Sequence, residues 1–344
     1  MKKWREVRLG DVCEKIGSGA TPRGGKEAYQ ETGISLIRSQ NVLDFEFSED
    51  GLVYINNAQA DKLKNVCVES GDVLLNITGD SVARVCMVDD AFLPARVNQH
   101  VAIIRGKRDI ISNSFILYWL QVQKPYLLML SAGGATRKAL TKQMIEDLRI
   151  PLPDLSEQNR IVKVLDDIQD KIQCNSKINK ILEDQAQAIF GKIIESSHSS
   201  YCTLSDVAQL NPKRALSKGN IARCIDMSQL SKSTSFPNGW EYKPFSGGMR
   251  FCNGDTLLAR ITPCLENGKT AYINFLDEGE VAFGSTEYVV ISSRGKYPSE
   301  FFYCLARYPE FVDYAVKNMA CFKNSHLMFK NPLKEQKATP SCAA

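Results

Sequence analysis

The chain has 344 residues, 43 of them basic and 39 acidic for a net charge of +4, with 44% hydrophobic and 24% charged positions. At ~100–200 residues per domain this length allows about two domains, and the composition excludes wholesale disorder and collagen-like repeats; the mild positive charge neither requires nor opposes a polyanionic partner. No segment approaches the ~18–20 uncharged apolar residues of a membrane span, and Met1-Lys2-Lys3-Trp4-Arg5-Glu6 meets charge before a signal-peptide core could form, so a cytoplasmic, membrane-free protein is expected.

Eleven cysteines are scattered along the chain (Cys13, Cys67, Cys86, Cys174, Cys202, Cys224, Cys252, Cys264, Cys304, Cys321, Cys342). Their number is odd and no two form a CxxC, so reduced, mostly buried thiols are expected rather than a disulfide framework or zinc ribbon. His100, His198 and His326 lie far apart. Neither a metal site nor a Cys/His dyad is therefore expected.

Four short segments recur in the same order along the chain. Leu9-Gly10-Asp11-Val12 returns as Leu204-Ser205-Asp206-Val207, and Gly71-Asp72-Val73-Leu74-Leu75 as Gly254-Asp255-Thr256-Leu257-Leu258. Arg105-Gly106-Lys107 returns as Arg294-Gly295-Lys296, and Ser114-Phe115 as Glu300-Phe301. The offsets drift, which predicts two related α/β domains carrying different loop insertions.

Between the copies, Ile150-Pro151-Leu152-Pro153 must be extended, because each proline fixes φ and pushes its predecessor out of the helical region. Ser156 is then the predicted helix cap, with Glu157 set against the positive end of the dipole. No proline follows until Pro212. Ile161, Leu165, Ile168, Ile172, Asn175, Asn179, Leu182, Ala186, Ile189 and Ile193 alternate steps of four and three, a heptad seam holding two asparagines. About 40 helical residues at 1.5 Å each span roughly 60 Å. Such a helix either packs on its own flanking domains or pairs in a coiled coil, with Asn175 and Asn179 setting register; the length of the seam favours the coiled coil.

Ile150-Pro151-Leu152-Pro153-Asp154-Leu155-Ser156-Glu157-Gln158 running into this helix resembles the boundary between the first recognition domain and first helical region of type I restriction-modification specificity subunits. Gly133-Gly134-Ala135-Thr136-Arg137-Lys138-Ala139-Leu140 is similar to that family's glycine-rich turn. The stretch from Asn253 to Thr270 and Gly284-Ser285-Thr286-Glu287-Tyr288 are similar to one branch of its recognition domains. The resemblance covers nearly the whole chain and implies an α/β (α+β) fold: a first target recognition domain (1–155), a helical spacer (156–196), a second recognition domain (197–320) and a short divergent tail (321–344). It implies a non-catalytic subunit that reads a bipartite double-stranded DNA target. Methylation subunits would dock on the spacer and carry S-adenosylmethionine, so no cofactor is expected in this chain, and a restriction subunit would join them.

Asn331-Pro332-Leu333-Lys334-Glu335-Gln336 only echoes the helix-start motif, and no second long helix is expected after it. A short or truncated subunit, or completion of the seam by a second specificity chain, would follow. Two other readings stay open: a regulatory subunit that assembles through its helix without productive DNA reading, and a self-sufficient methyltransferase or nuclease.

DNA reading needs Lys, Arg, amides and hydroxyls on phosphates, and Arg, Asn and Gln on base edges. In the first domain the candidates are Thr21, Arg23, Arg38, Ser39, Gln40, Asn41, Thr78, Ser81, Arg84, Asn98, Gln99, His100, Arg137 and Lys138. In the second they are Lys213, Arg214, Arg250, Arg260, Thr262, Lys269, Ser285, Thr286 and Glu287. Catalytic motifs are incomplete. Gly268-Lys269-Thr270 lacks the upstream glycine of a phosphate loop, which is Pro263 here, and Asn211-Pro212-Lys213-Arg214 lacks the Pro-aromatic pair of an adenine methylase. Asp255, Glu266 and Lys269 are better read as ordinary surface residues than as a nuclease cluster.

Overall fold

Val73-Leu74-Leu75 and Val101-Ala102-Ile103-Ile104 show no polar alternation, the pattern of strands buried on both faces. The computed structural model, which describes residues 4–22, 29–132, 138–196, 201–231, 234–261, 263–317 and 328–330, places them that way. Val73, Leu75, Ala102 and Ile104 pack against a helix layer with Phe115, Ile116 and Leu120. Leu74, Val101 and Ile103 face a second sheet through Leu36, Ile37, Ala95 and Val97. At ~1.5–3 kcal/mol for each fully buried large aliphatic, these two clusters supply most of the cohesion of this half of the chain.

The chain divides into two compact units, residues 1–171 and 172–344. The first opens with β1 (Arg5–Arg8), α1 (Leu9–Val12), β2 (Cys13–Ser18), β3 (Ile34–Ile37), β4 (Val53–Ile55) and α2 (Asn57–Lys62). It continues with β5 (Cys67–Val68), β6 (Val73–Asn76), β7 (Val85–Met87), β8 (Ala95–Val97) and β9 (Val101–Gly106). Then come α3 (Asn113–Val122), α4 (Lys124–Ala132), α5 (Lys142–Glu146), β10 (Arg149–Leu152) and the long α6 (Leu155–Ser196). One sheet has the order β2-β9-β6-β7 and the other β4-β3-β8-β5, while β10 returns to pair with β1.

The second unit contains β11 (Tyr201–Thr203), α7 (Leu204–Val207), β12 (Ala208–Leu210), β13 (Ile221–Ile225), β14 (Glu241–Pro244), β15 (Met249–Phe251) and β16 (Thr256–Ala259). After these come β17 (Thr270–Tyr272), β18 (Ala282–Gly284), β19 (Tyr288–Ser293), α8 (Ser299–Arg307), α9 (Pro309–Lys317) and β20 (Met328–Lys330). Its sheets run β12-β19-β16-β17 and β14-β13-β18-β15, with β20 paired to β11. Strand for strand this is the first unit again, including one parallel pair in each, β3 with β8 and β13 with β18.

The register refines one of the four sequence matches. Cys13 lies opposite Gly106, and Ala208, its counterpart, lies opposite Ser293. Lys107 N–H donates to the Val12 carbonyl as Arg294 N–H donates to that of Val207. Arg294 therefore corresponds to Lys107 and Ser292 to Arg105; matching Arg105-Gly106-Lys107 to Arg294-Gly295-Lys296 slips the strand by two residues, a shift that leaves its inward and outward faces unchanged.

The repeated Gly-Asp turn carries the same buried carboxylate twice. Asp72 accepts from Glu69 N–H at 2.8 Å and Asp255 from Cys252 N–H at 2.8 Å. Asp72 pairs with Arg105 at 2.6 and 2.7 Å. In the second unit Ser292 occupies the Arg105 position, and Arg214 comes in from the loop after β12 to meet both Asp255 oxygens at 2.7 Å.

The cap of helix α6 lies two residues before the one expected from the sequence. Asp154, not Ser156, is its cap, because Asp154 Oδ1 stands before the first turn and accepts the Glu157 amide at 2.9 Å. Val162 is buried in the first unit's helix-side core, with Ile161 packed against it. Near its end, Phe190 and Ile194 join the helix-side core of the second unit, Phe190 lying 5.1 Å from Phe301 and 5.6 Å from Tyr308 between ring centroids. Of the predicted seam, Ile161, Leu165 and Ala186 are half-buried, while Ile168, Ile172, Asn175, Asn179, Leu182, Ile189 and Ile193 are exposed. The contact with the second unit's core thus falls on Phe190 and Ile194, one position beyond Ile189 and Ile193.

Candidate nucleic-acid interface

In each unit the outer-sheet strand of the parallel pair runs through a three-residue turn into the long inner strand. Asn98 Oδ1 accepts the His100 amide at 2.9 Å in the first turn, and Ser285 Oγ accepts the Glu287 amide at 3.1 Å in the second. The third residue of each turn then offers its carbonyl to the loop after the inner hairpin strand, His100 to Ile77 N–H at 2.9 Å and Glu287 to Arg260 N–H at 3.1 Å. Short polar side chains close such turns locally, which explains Asn in one copy and Ser in the other.

Around the first turn, segments distant in sequence meet. Gly19 lets the chain pass against Val97, where a Cβ would lie 1.7 Å from the carbonyl oxygen, and so brings Thr21 to the turn. The Thr21 hydroxyl donates to Gln99 Oε1. The Gln99 amide nitrogen lies 3.0 Å from His100 Nε2, and His100 Nδ1 lies 2.6 Å from Thr78 Oγ1. His100 thus bridges Gln99 and Thr78 with both of its ring nitrogens. Lys138 joins this edge through its carbonyl, which accepts from Gly79 N–H at 3.1 Å. Ser81 and Arg84 lie on the same loop, linked by a main-chain bond of 3.1 Å.

Around the second turn, Arg260 Nε donates to Glu287 Oε2 at 2.8 Å. That hydrogen bond holds the Glu287 carboxyl below its ordinary range and raises the Arg260 guanidinium above its own. Thr286 is exposed between them in sequence, as Gln99 is in the first unit. Lys269 Nζ donates to the Met227 carbonyl at 2.9 Å. Lys213 is exposed on the loop after β12.

Several candidate contact residues are bonded within the fold. Asn41 is fully buried, accepting from Arg38 N–H at 3.0 Å and donating to the Ser48 carbonyl at 2.9 Å, and Asn98 is buried beneath its turn. Arg214 neutralises Asp255, and Arg250 donates to the Arg214 carbonyl while lying 5.6 Å over the Phe245 ring. Arg38 donates to the Gly51 carbonyl, Gln40 to that of Asp50 at 3.0 Å, and the Ser39 carbonyl accepts from Asn76 at 2.8 Å. Arg23, Arg137 with most of the glycine-rich turn, and Thr262 lie outside the described residues.

One segment of the second edge escaped the sequence reading. Met227, Ser228 and Gln229 form the short turn equivalent to Ser39–Asn41, closed by Asp226 N–H donating to Gln229 Oε1 at 2.6 Å as Arg38 N–H donates to Asn41. The Asp-x-x-Gln spacing is a capping signal that could have found it. Lys243 sits on Asp226 at 2.8 Å and holds that carboxyl below its usual range. Among the described residues no group of three or more His, Cys, Asp or Glu gathers to hold a metal, and no helix is long and apolar enough to cross a membrane. Burial pushes the Cys13 and Cys86 thiols up to about 12, making them unreactive core residues.

Residues 1–184, more than half of the chain, match the family described as the type I restriction modification DNA specificity domain. The chain belongs to this family. It is 27% identical over 197 residues to the MjaIX specificity subunit of Methanocaldococcus jannaschii, covering 55% of this chain and 43% of that one. With the HindI specificity subunit of Haemophilus influenzae it shares 23% identity over 193 residues, 55% of this chain and 40% of the relative. The match thus spans about two-fifths of the length of these curated relatives. The fold is that of the S subunit of the M. genitalium type I restriction-modification system, at 13% identity and a TM-score of 0.54, covering 96% of this chain and 85% of that one. The paired turns Asn98–His100 and Ser285–Glu287 carry the exposed amide of Gln99 and the exposed hydroxyl of Thr286.

Proposed function

We propose that this chain is the sequence-reading, non-catalytic subunit of a type I restriction-modification enzyme, each unit reading one short half of a split double-stranded target. The observation that carries the reading is the duplication of the polar edge: the same turn, joined to the same loop by the same main-chain bond, bears different side chains in the two units. Identical scaffolds with different exposed groups are what two unlike half-sites require. Helix α6 sets the unread gap, because both half-sites must present their grooves at compatible helical phase. Methylation subunits dock on the helix and supply S-adenosylmethionine chemistry, and a restriction subunit completes the enzyme. Expression with a methylation subunit followed by single-molecule methylome sequencing is expected to show one bipartite methyl-adenine motif; complex formation without such a motif would sink the proposal and leave a regulatory assembly subunit.

The exposed seam favours a helical partner as well. Ile172, Leu182, Ile189 and Ile193 are 46–60% exposed, a stripe that water disfavours. A groove of about 530 Å³ in the first unit, lined by Trp4, Phe45, Trp119, Val122, Leu165 and Ile168, adds apolar surface beside the start of the same helix. The α6 helix of a second copy fits this seam, with Asn175 and Asn179 fixing register. Replacing both asparagines with Leu is expected to raise the melting temperature of the assembly while broadening its mass distribution in light scattering. An unchanged melting curve and mass would place both residues outside the interface.

A further inference from the structure

Gln158 is the one fully buried polar side chain of helix α6 among the described residues, with 0% of its surface exposed. All of its hydrogen-bonding capacity is turned on the first unit. Its Oε1 accepts from Ser112 N–H at 2.9 Å, and its amide donates to the Ile110 carbonyl at 3.0 Å and the Pro153 carbonyl at 2.9 Å. It therefore joins three places at once: the chain leaving β9, the start of α3, and the proline segment ahead of α6. Two turns further along, Tyr118 of α3 donates to Asp166 of α6 at 2.7 Å, a second tether on the same helix. From residue 170 to residue 182 every position of the helix is exposed.

We propose that Gln158 is a positioning residue that fixes the direction in which α6 leaves the first unit, and through it the gap between half-sites rather than the bases of either. This rests on the bipartite reading above. The Gln158 contacts, the Tyr118–Asp166 tether and the adjoining apolar turn hold the helix root, so angular play there is magnified by length. Over the 25 residues from Gln158 to Glu183, where Tyr303 of the second unit donates to the helix at 2.9 Å, the lever is about 37 Å at 1.5 Å per residue. A swing of about 5° moves its far end by roughly 3 Å, close to the ~3.4 Å step of one base pair. A buried, fully bonded amide suits this task, because each of its bonds is directional and each lost partner would remain buried.

The test uses the full chain with Gln158→Met, which keeps the volume and removes the bonds, and with Tyr118→Phe, which cuts only the surface tether. Spin labels introduced at Lys62 and Lys171, both exposed in the first unit, report helix direction by electron–electron distance. The distance distribution is expected to widen about twofold in Gln158→Met and less in Tyr118→Phe; unchanged width in both overturns the proposal. Methylome sequencing with a methylation subunit is expected to return both half-sites intact, with gaps one base pair longer or shorter added to the original. A single unchanged gap, or loss of the first half-site together with a large fall in melting temperature, overturns it as well. A wild-type chain with no bipartite motif would defeat the bipartite reading alone, and the distance measurement then decides the anchoring role by itself.

Discussion

Replacement of Arg260 with alanine is expected to relax one half of the target by about 5- to 150-fold in discrimination while the other half stays readable. Glu287 holds the guanidinium through Nε at 2.8 Å, which orients the two terminal nitrogens of Arg260 for a forked contact with a guanine edge. A good bidentate pair contributes ~1–3 kcal/mol of base discrimination, and losing it affects one position. The first unit has buried Ile77 at the equivalent place, so no compensating arginine exists there. Binding titrations against targets substituted one base at a time in each half will check this. Equal losses in both halves would show that the substitution damages the fold rather than the reading.

The largest stability effect is expected at Asp72. Its carboxylate is wholly buried, caps the Glu69 turn and meets the Arg105 guanidinium twice, so Asp72→Ala leaves the half-buried Arg105 with only the more exposed Glu69 carboxylate, and an open turn in the first unit. Breaking one side of such a pair costs about 3–5 kcal/mol, whereas removing both partners costs less because no charge is stranded. Asp72→Ala with Arg105→Leu is therefore expected to be more stable than Asp72→Ala alone. Because the chain has two units, the loss should be followed locally. The fluorescence of Trp4 and Trp119, with Trp240 replaced by Phe, reports the first unit in urea titrations. Equal midpoints for the single and double variants would remove the ion pair from the account.

Much of this architecture was legible because burial constrains sequence where two layers meet. The Gly-Asp-x-Leu-Leu repeat was visible since a left-handed glycine, a turn-closing aspartate and a doubly buried strand are each demanded by geometry. The Arg-Gly-Lys match misled, because a two-residue slip along β9 and β19 preserves the inward and outward alternation that pattern matching detects. The Arg214–Asp255 pairing is not legible, because a basic residue in a loop carries no local mark of an aspartate 41 positions away. Asp154 and Ser156 are both good caps by composition, and only the position of the first free amides separates them. The heptad spacing predicts one continuous surface, yet Phe190 and Ile194 bind the second unit's core, a tertiary fact that a heptad count does not contain.

The relocated arginine has a genetic consequence. Two homologous domains in one chain invite recombination, and a crossover joining the first unit up to Ile37 with the second from Asp226 would retain Asp255 but neither Arg214 nor Arg105. The reciprocal product would bring Arg214 to a turn where Arg105 already pairs with Asp72 and Glu69. The first hybrid would carry an unpaired carboxylate in a buried turn, whereas a joint within residues 170–182 of the long helix, where every position is exposed, would leave both ion pairs intact.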